Sequence, residues 1–318
     1  MKIGILTSGG DSPGMNPCIA ELTKRGLALG HEVVGIRGGY GGILRGDYCA
    51  LDAPLAQRIY KLGGTILQSG RLPELKRREV RDRAVRELER AGFDALVVLG
   101  GDGSFRGAGA LCEAAGGKLR LIGIPCTIDN DIYGSRYTLG YDTALNKLAA
   151  YIDDIMDTAL ALPGRVFLIE TLGRDGRLAY SAEEMGLVDF SVLLERDLTD
   201  EQVCERVRGI LAGGKPYVLA TFSEGTARIA RTARFLEERL GRSVKCNMIG
   251  YQQRGGAPTA AERLFATGFA REAYRALGDG VTEGYTVWSG GRFGVLPLRE
   301  AEKHKEFRPE PLGGGPAI

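Results

Sequence analysis

The sequence predicts an α/β protein built from two doubly wound, mostly parallel-sheet, Rossmann-like domains. Three observations carry this. Short apolar, β-branched runs alternate with stretches of helical periodicity, the pattern of βαβ units. The runs outnumber the strands of one ordinary sheet, and 318 residues suit about two domains at roughly 100–200 residues each. Glycines cluster directly after several of these runs, at the strand ends where open α/β sheets bind ligands.

The elements follow in order. Residues 2–7 (KIGILT) form a buried strand, followed by SGGDSPGMN and a helix over 16–29. A second strand spans 31–36 (HEVVGI). Over 78–91, Val80, Ala84, Val85, Leu88 and Ala91 recur at helical spacing. Residues 95–99 (ALVVL) and 119–124 (LRLIGI) are strands, and 141–158 is a long helix. The second half repeats the alternation, with strands over 166–170, 190–194, 217–221 and 246–249. Thr199 with Gln202 and Thr259 with Glu262 each fit a capping box that opens a helix. No repeat has a fixed period. The tail, 303–318, is charged and then rich in Pro and Gly, and is expected to be loosely ordered.

Composition excludes several classes. Lys and Arg number 42 against 40 Asp and Glu, a net charge of +2, so there is no electrostatic footprint for nucleic acid. No apolar run reaches the ~18–20 residues of a membrane span, and the first residues read as a strand rather than a signal peptide. Six widely spaced cysteines without a C-x-x-C pair argue against a disulfide framework or zinc site and fit a reducing, cytoplasmic setting. Glycine is the outlier, at 48 of 318 residues, about twice the usual ~7%.

The glycines mark the chemistry. Gly9-Gly10, Gly100-Gly101 with Gly103, Gly173 and Gly255-Gly256 all follow strands. Such loops let backbone N–H groups approach an anion, and the next helix dipole assists. Each alone is also the ordinary way to make a tight turn. The segment 209–216 (GILAGGKP) nearly matches a phosphate-binding loop, but it precedes a strand and carries Pro for the hydroxyl residue. It is read as a helix C-terminus. Asp102, among glycines, suits a Mg²⁺ bridging to phosphate, or a helix cap or Asx turn. In PCTIDND (125–131), two carboxylates two residues apart could take a hydroxyl proton, or build an Asx-rich turn.

Seven ordered motifs resemble the bacterial ATP-dependent 6-phosphofructokinase family: LTSGGDSPGMN (6–16), GGTILQSGRLPE (63–74), VVLGGDGSFRGA (97–108), PCTIDNDI (125–132), ETLGRDGRLA (170–179), SEG (223–225) and IGYQQRGGAPTAAER (249–263). The resemblance implies the phosphofructokinase fold, with an ATP-binding domain over 1–140 plus about 253–303, a fructose 6-phosphate domain over 141–252, and the tail 304–318 outside both. It implies transfer of the γ-phosphoryl group of MgATP to the sugar 1-hydroxyl. Gly10, Tyr40, Arg71, Leu72, Gly101, Asp102, Gly103 and Ser104 would line the nucleotide site, with Asp102 serving Mg²⁺. Asp129 would be the base, with Thr127 and Asp131 flanking the reacting groups and Ile128 among the substrate-binding residues. Arg165, Glu224, Lys245 and Arg254 would bind the sugar phosphate. Leu172, Gly173 and Arg174 would form another wall, with Tyr251, Gln252 and Gln253 nearby, and Arg174 would also stabilise the charge of the reaction. In the family, the Arg165 and Lys245 positions serve a neighbouring subunit, which implies an obligate oligomer, usually a homotetramer.

The chain departs from the family at several positions. Gly103 is of the ATP-using type, whereas pyrophosphate users carry Asp there and Lys before the Thr. Cys126 is of neither type, being neutral but bulkier than Gly. Lys245 stands where Arg is usual and loses the bidentate fork. Tyr251 replaces the usual His, and Leu172 the usual Met. The effector-site positions for ADP and phosphoenolpyruvate correspond to Ala20, Lys24, Ala53, Met156, Gly213 and Lys215, of which only two are cations. Regulation by these effectors is therefore expected to be weak or absent. Three alternatives fit parts of the pattern: a pyrophosphate-dependent phosphofructokinase; a dinucleotide oxidoreductase, for which the fingerprint is missing; and a silent sugar-phosphate sensor, which would need no base.

Overall fold

The computed structural model describes residues 1–310. The strands are β1 (Lys2–Thr7), β2 (Glu32–Ile36), β3 (Tyr48–Ala50), β4 (Ala95–Gly100), β5 (Arg120–Thr127), β6 (Leu139–Gly140), β7 (Val166–Thr171), β8 (Phe190–Val192), β9 (Val218–Ser223), β10 (Val244–Met248), β11 (Glu283–Ser289) and β12 (Arg292–Leu296). The α-helices are α1 (Met15–Ala28), α2 (Tyr40–Arg45), α3 (Ala53–Ile59), α4 (Arg78–Arg90), α5 (Asp102–Ala114), α6 (Tyr141–Ala161), α7 (Arg177–Glu184), α8 (Asp200–Ala212), α9 (Ile229–Leu240) and α10 (Ala260–Gly278). Two compact units emerge: Met1–Thr143 with Arg254–Lys305, and Ala144–Gln253 with the segment from Glu306.

The first unit is an eight-stranded sheet ordered β12-β11-β5-β4-β1-β2-β3, with β6 on β5. Its central strands are parallel, and the β2–β3 and β11–β12 pairs are antiparallel. β4 reads ALVVLG and is buried along its whole length, as a strand covered on both faces must be. Apolar cores fill both faces. One packs Ile3, Ile5, Val97 and Leu99 beneath α1 and α10. The other packs Leu6, Leu96, Val98, Phe105 and Leu111. The chain order reverses between β1 and β4, so their carboxyl ends flank a topological switch point.

The second unit is a four-stranded parallel sheet, β10-β7-β9-β8. One face packs Leu168, Val207, Val218 and Leu236; the other packs Leu148, Ile152, Ile169 and Leu219. β10 is an edge strand with Lys245, Cys246 and Met248 exposed.

The structure corrects several expectations. β3, β6 and the β11–β12 hairpin go beyond those expectations: β3 and β6 are two or three residues long, and β11 (EGYTVWS), though mostly buried, mixes polar residues into its run. β5 continues to Thr127, because β6 pairs Leu139 with Cys126 and Gly140 with Thr127. The Thr199–Gln202 capping box forms in full, and 209–216 closes α8 as a helix C-terminus. The Thr259–Glu262 box forms only by half. Thr259 Oγ1 accepts from Glu262 N at 3.2 Å, but the Glu262 side chain turns into the core. There its carboxylate accepts from Gly140 N at 2.6 Å, Thr143 N at 3.2 Å, Thr143 Oγ1 at 2.9 Å and Tyr137 Oη at 3.1 Å. Burial pushes this carboxyl above the usual range, while these donors pull it back. Within the first unit, the tail expected to be loose is held by an antiparallel bridge from His304 to Ile132. Within the second, Phe307 packs against Tyr180 and Arg177. The remaining tail expectation, for 311–318, lies outside the described residues.

Candidate functional site

In the first unit, three loops meet at the carboxyl ends of β1, β4 and β5. The loop after β1 is braced by the segment 65–70. Thr7 Oγ1 donates to Gln68 O at 3.1 Å, and Ser69 Oγ to Gly9 O at 2.8 Å. Asn16 fastens the same segment, donating to Gly63 O and accepting from Ile66 N, each at 2.8 Å. A Cβ on Gly10 would come within 2.7 Å of an Arg254 guanidinium nitrogen, and Arg254 lies 3.9 Å from Asp11. The structure thus brings Arg254 to the β1 loop.

The glycines after β4 divide by what surrounds them. At Gly100 a Cβ would lie 2.6 Å from the Ser8 carbonyl oxygen, so the fold itself demands glycine there. At Gly101 a Cβ would meet nothing within 4 Å, and at Gly103 only an Arg106 nitrogen at 3.8 Å. Neither has a positive φ. Gly103 therefore costs its helix about 1 kcal/mol relative to Ala with no packing reason among the described residues. Open backbone at a helix N-terminus is suited to an approaching anion. Asp102 is the first residue of α5, and Arg106 pairs with it at 3.2 Å. Tyr40 donates to Ser104 O at 2.7 Å, and Ser104 Oγ to Ser8 O at 3.0 Å. Both side chains are buried, so they brace the loop from within. Arg71 is exposed, and Leu72 packs partly on the core.

β5 leads into the carboxylate turn. The Cys126 side chain is not beside the loop. It is buried in the core formed with Met15, Cys18 and Ile19, where burial, Cys18 and Glu262 hold the thiol well above its ordinary range. Strand alternation turns Thr127 the other way. Its Oγ1 accepts from Asp129 N at 3.2 Å and donates to Asp129 Oδ2 at 3.4 Å. Asn130 adopts φ 51°, and Asp131 is half-buried. Ile128 is buried and can contribute only backbone.

In the second unit, the ends of β7 and β9 and the turn after β10 form another site. Gly173 holds φ 137°, in the region that favours glycine. Its N–H donates to Glu224 Oε1 at 3.1 Å, and Leu172 N to Gln253 Oε1 at 2.7 Å. Gln253 is fully buried, so its side chain props the loop. Arg174, Tyr251 and Gln252 are exposed. Glu170, which the sequence did not single out, belongs here: burial and the Glu224 carboxylate raise its carboxyl. Arg165 and Lys245 are not brought to this edge. Arg165 precedes β7, and Lys245 pairs with Phe167 near the start of that strand, whereas Leu172–Arg174 follow its far end.

Among the described residues, no group of three or more His, Cys, Asp or Glu could hold a metal alone, and no helix is long and apolar enough to cross a membrane.

Open glycines, a carboxylate at a helix start and a switch-point edge make strand ends suited to phosphorylated ligands. Residues 2–277 match the family described as Phosphofructokinase. Over 311 residues the chain is 38% identical to an ATP-dependent 6-phosphofructokinase of Aquifex aeolicus, covering 96% of this chain and 95% of that one. It is 37% identical over 310 residues to ATP-dependent 6-phosphofructokinase 1 of Thermus thermophilus, covering 96% and 95%. Phosphofructokinase from Saccharomyces cerevisiae superposes with a TM-score of 0.87 at 28% identity, over 94% of this chain and 45% of that chain. The chain belongs to the phosphofructokinase family.

Proposed function

We propose that the chain is a phosphotransferase that uses ATP to convert fructose 6-phosphate to fructose 1,6-bisphosphate in glycolysis. One observation carries this reading. Neighbouring strands β4 and β5, registered Gly100 to Pro125, bring an open glycine loop and the Asp129 turn to one sheet edge. The Asp129 carboxylate takes the proton of the 1-hydroxyl. The freed oxygen bonds to the γ-phosphorus as the bond to ADP breaks and ADP departs. Such transfer needs positioning and charge stabilisation more than covalent chemistry. Thr127 and Asp131 flank the reacting groups, and within the second unit Arg174 offers a cation to a phosphorylated ligand bound there. Glu224 and Gln253 hold the Leu172–Gly173 backbone that presents Arg174.

Asp102 with open backbone beside it fits Mg²⁺ that arrives on the nucleotide, since that ion takes one or two carboxylates together with phosphate oxygens. When bound, it neutralises phosphate charge. The positions of Arg165 and Lys245, at the opposite edge from Arg174, support a homotetramer in which they serve a second copy. The six free cysteines support a reducing cytoplasm.

Regulation by ADP and phosphoenolpyruvate is weak or absent in this reading. Of the effector positions, Ala20 is buried. Lys24 is already paired with Glu21 at 3.1 Å, and Lys215 with Asp189 at 2.6 Å. Each remaining cation thus has a competing carboxylate. Because Cys126 points into the core, it adds neither bulk nor charge beside the phosphates, and the donor is ATP rather than pyrophosphate.

One set of steady-state assays tests these points. Turnover is expected with ATP and not with pyrophosphate, and saturation curves for fructose 6-phosphate should not move with ADP or phosphoenolpyruvate. Preferred use of pyrophosphate would sink the donor assignment, and strongly shifted curves the regulatory one. Light scattering on the same sample reads the assembly, and a fully active monomer would refute the shared-site reading.

A further inference from the structure

Three consecutive tail residues lie along the base turn in reverse order. Lys303 Nζ sits 5.2 Å from the Tyr133 ring centroid. His304 bridges Ile132 as an antiparallel strand would. Lys305 Nζ donates to Asn130 O at 2.8 Å. None of the motifs that carry the family resemblance reaches this segment.

The turn needs such support. Asn130 is a non-glycine residue at φ 51°, and it is buried. Such a conformation persists only where the surroundings over-determine it. From its own side, the turn is tied by Asp129 N to Thr127 Oγ1 at 3.2 Å and by Asn130 Nδ2 to Arg136 O at 3.2 Å. Those bonds leave the Asn130 carbonyl to Lys305. A charge-assisted bond is roughly twice as strong as a neutral one, and the His304 bridge fixes the backbone from which the ammonium extends.

We propose that Lys305 is a positioning residue for the transfer reaction: its ammonium on the Asn130 carbonyl holds the Asp129–Asn130–Asp131 turn so that the Asp129 carboxylate is correctly aimed. This rests on reading Asp129 as the base. Small displacements of a reacting group cost up to about a hundredfold in rate. Lys305→Met keeps the apolar stem and removes the donor. It is expected to lower kcat by roughly ten- to a hundredfold with the KM of both substrates little changed and the melting temperature retained. Lys305→Arg, which restores a charged donor, should recover most of the rate. Amide hydrogen exchange over 128–133 in the full chain should be faster in Lys305→Met than in the parent. Unchanged kcat in Lys305→Met, an effect on KM alone, or no rescue by Arg would overturn the assignment. The exchange measurement stands apart from turnover. If the parent enzyme does not phosphorylate fructose 6-phosphate, the base reading fails, while accelerated exchange still upholds the clasp and unchanged exchange overturns it.

Discussion

Asp129→Asn lowers kcat by about 10²–10⁴-fold, the usual contribution of a general base, and leaves the KM for fructose 6-phosphate and ATP nearly unchanged. The substitution is close to isosteric. The backbone N–H still donates to Thr127 Oγ1, and an amide oxygen can still accept from the Thr127 hydroxyl. The turn therefore survives, and only the capacity to take a proton is lost. An interaction made in the transition state alone shows up in kcat and kcat/KM together. Turnover within tenfold of the parent enzyme would remove Asp129 from the proton transfer.

The second large effect is on stability. Glu262→Ala strips the acceptor from four donors at once: Gly140 N, Thr143 N, Thr143 Oγ1 and Tyr137 Oη. Glu262 itself is fully buried, so water does not readily replace it. Leaving several buried donors unsatisfied costs about 3–5 kcal/mol. At about 2–4 °C per kcal/mol for a unit of this size, calorimetry should show a melting temperature lower by roughly 10 °C. Glu262→Gln keeps the volume and one oxygen acceptor and should cost less. A melting point unmoved in Glu262→Ala would show that the network contributes little.

Glu262 also shows where sequence reasoning reaches its limit. Its spacing from Thr259 is that of a capping box, and a local rule sees nothing else. The side chain instead serves partners more than a hundred residues away in sequence, because burial of β6 against β5 leaves Gly140 and Thr143 in need of an acceptor. The central strands were legible for the opposite reason. β4 and β7 are buried on both faces, so their apolar runs are nearly continuous. β3 and β12 sit at edges with mixed exposure, β3 being only three residues long and β12 broken by Gly294.

The site divides along the same line. The strand-end glycines and Asp102 stand out as candidates from local chemistry, although each could also be an ordinary turn or cap. The distinction between Gly100, which packing requires, and Gly103, which it does not, needed coordinates. So did the direction of Cys126: whether strand β5 ends before or after that residue decides which face it takes. Lys305 carried no local signal at all, because a lysine in a charged tail is ordinarily a solvated one.

The burial of Cys126 bears on how the protein can be handled chemically. Alkylating reagents attack thiolates, and a thiol held protonated inside a core offers them none. The exposed cysteine on β10, Cys246, sits beside Lys245 on the sheet edge. A maleimide dye would therefore mark that edge, where Lys245 is read as serving a second copy, and leave the base turn chemically untouched, so protection of Cys246 from the dye would report that the edge is covered by assembly.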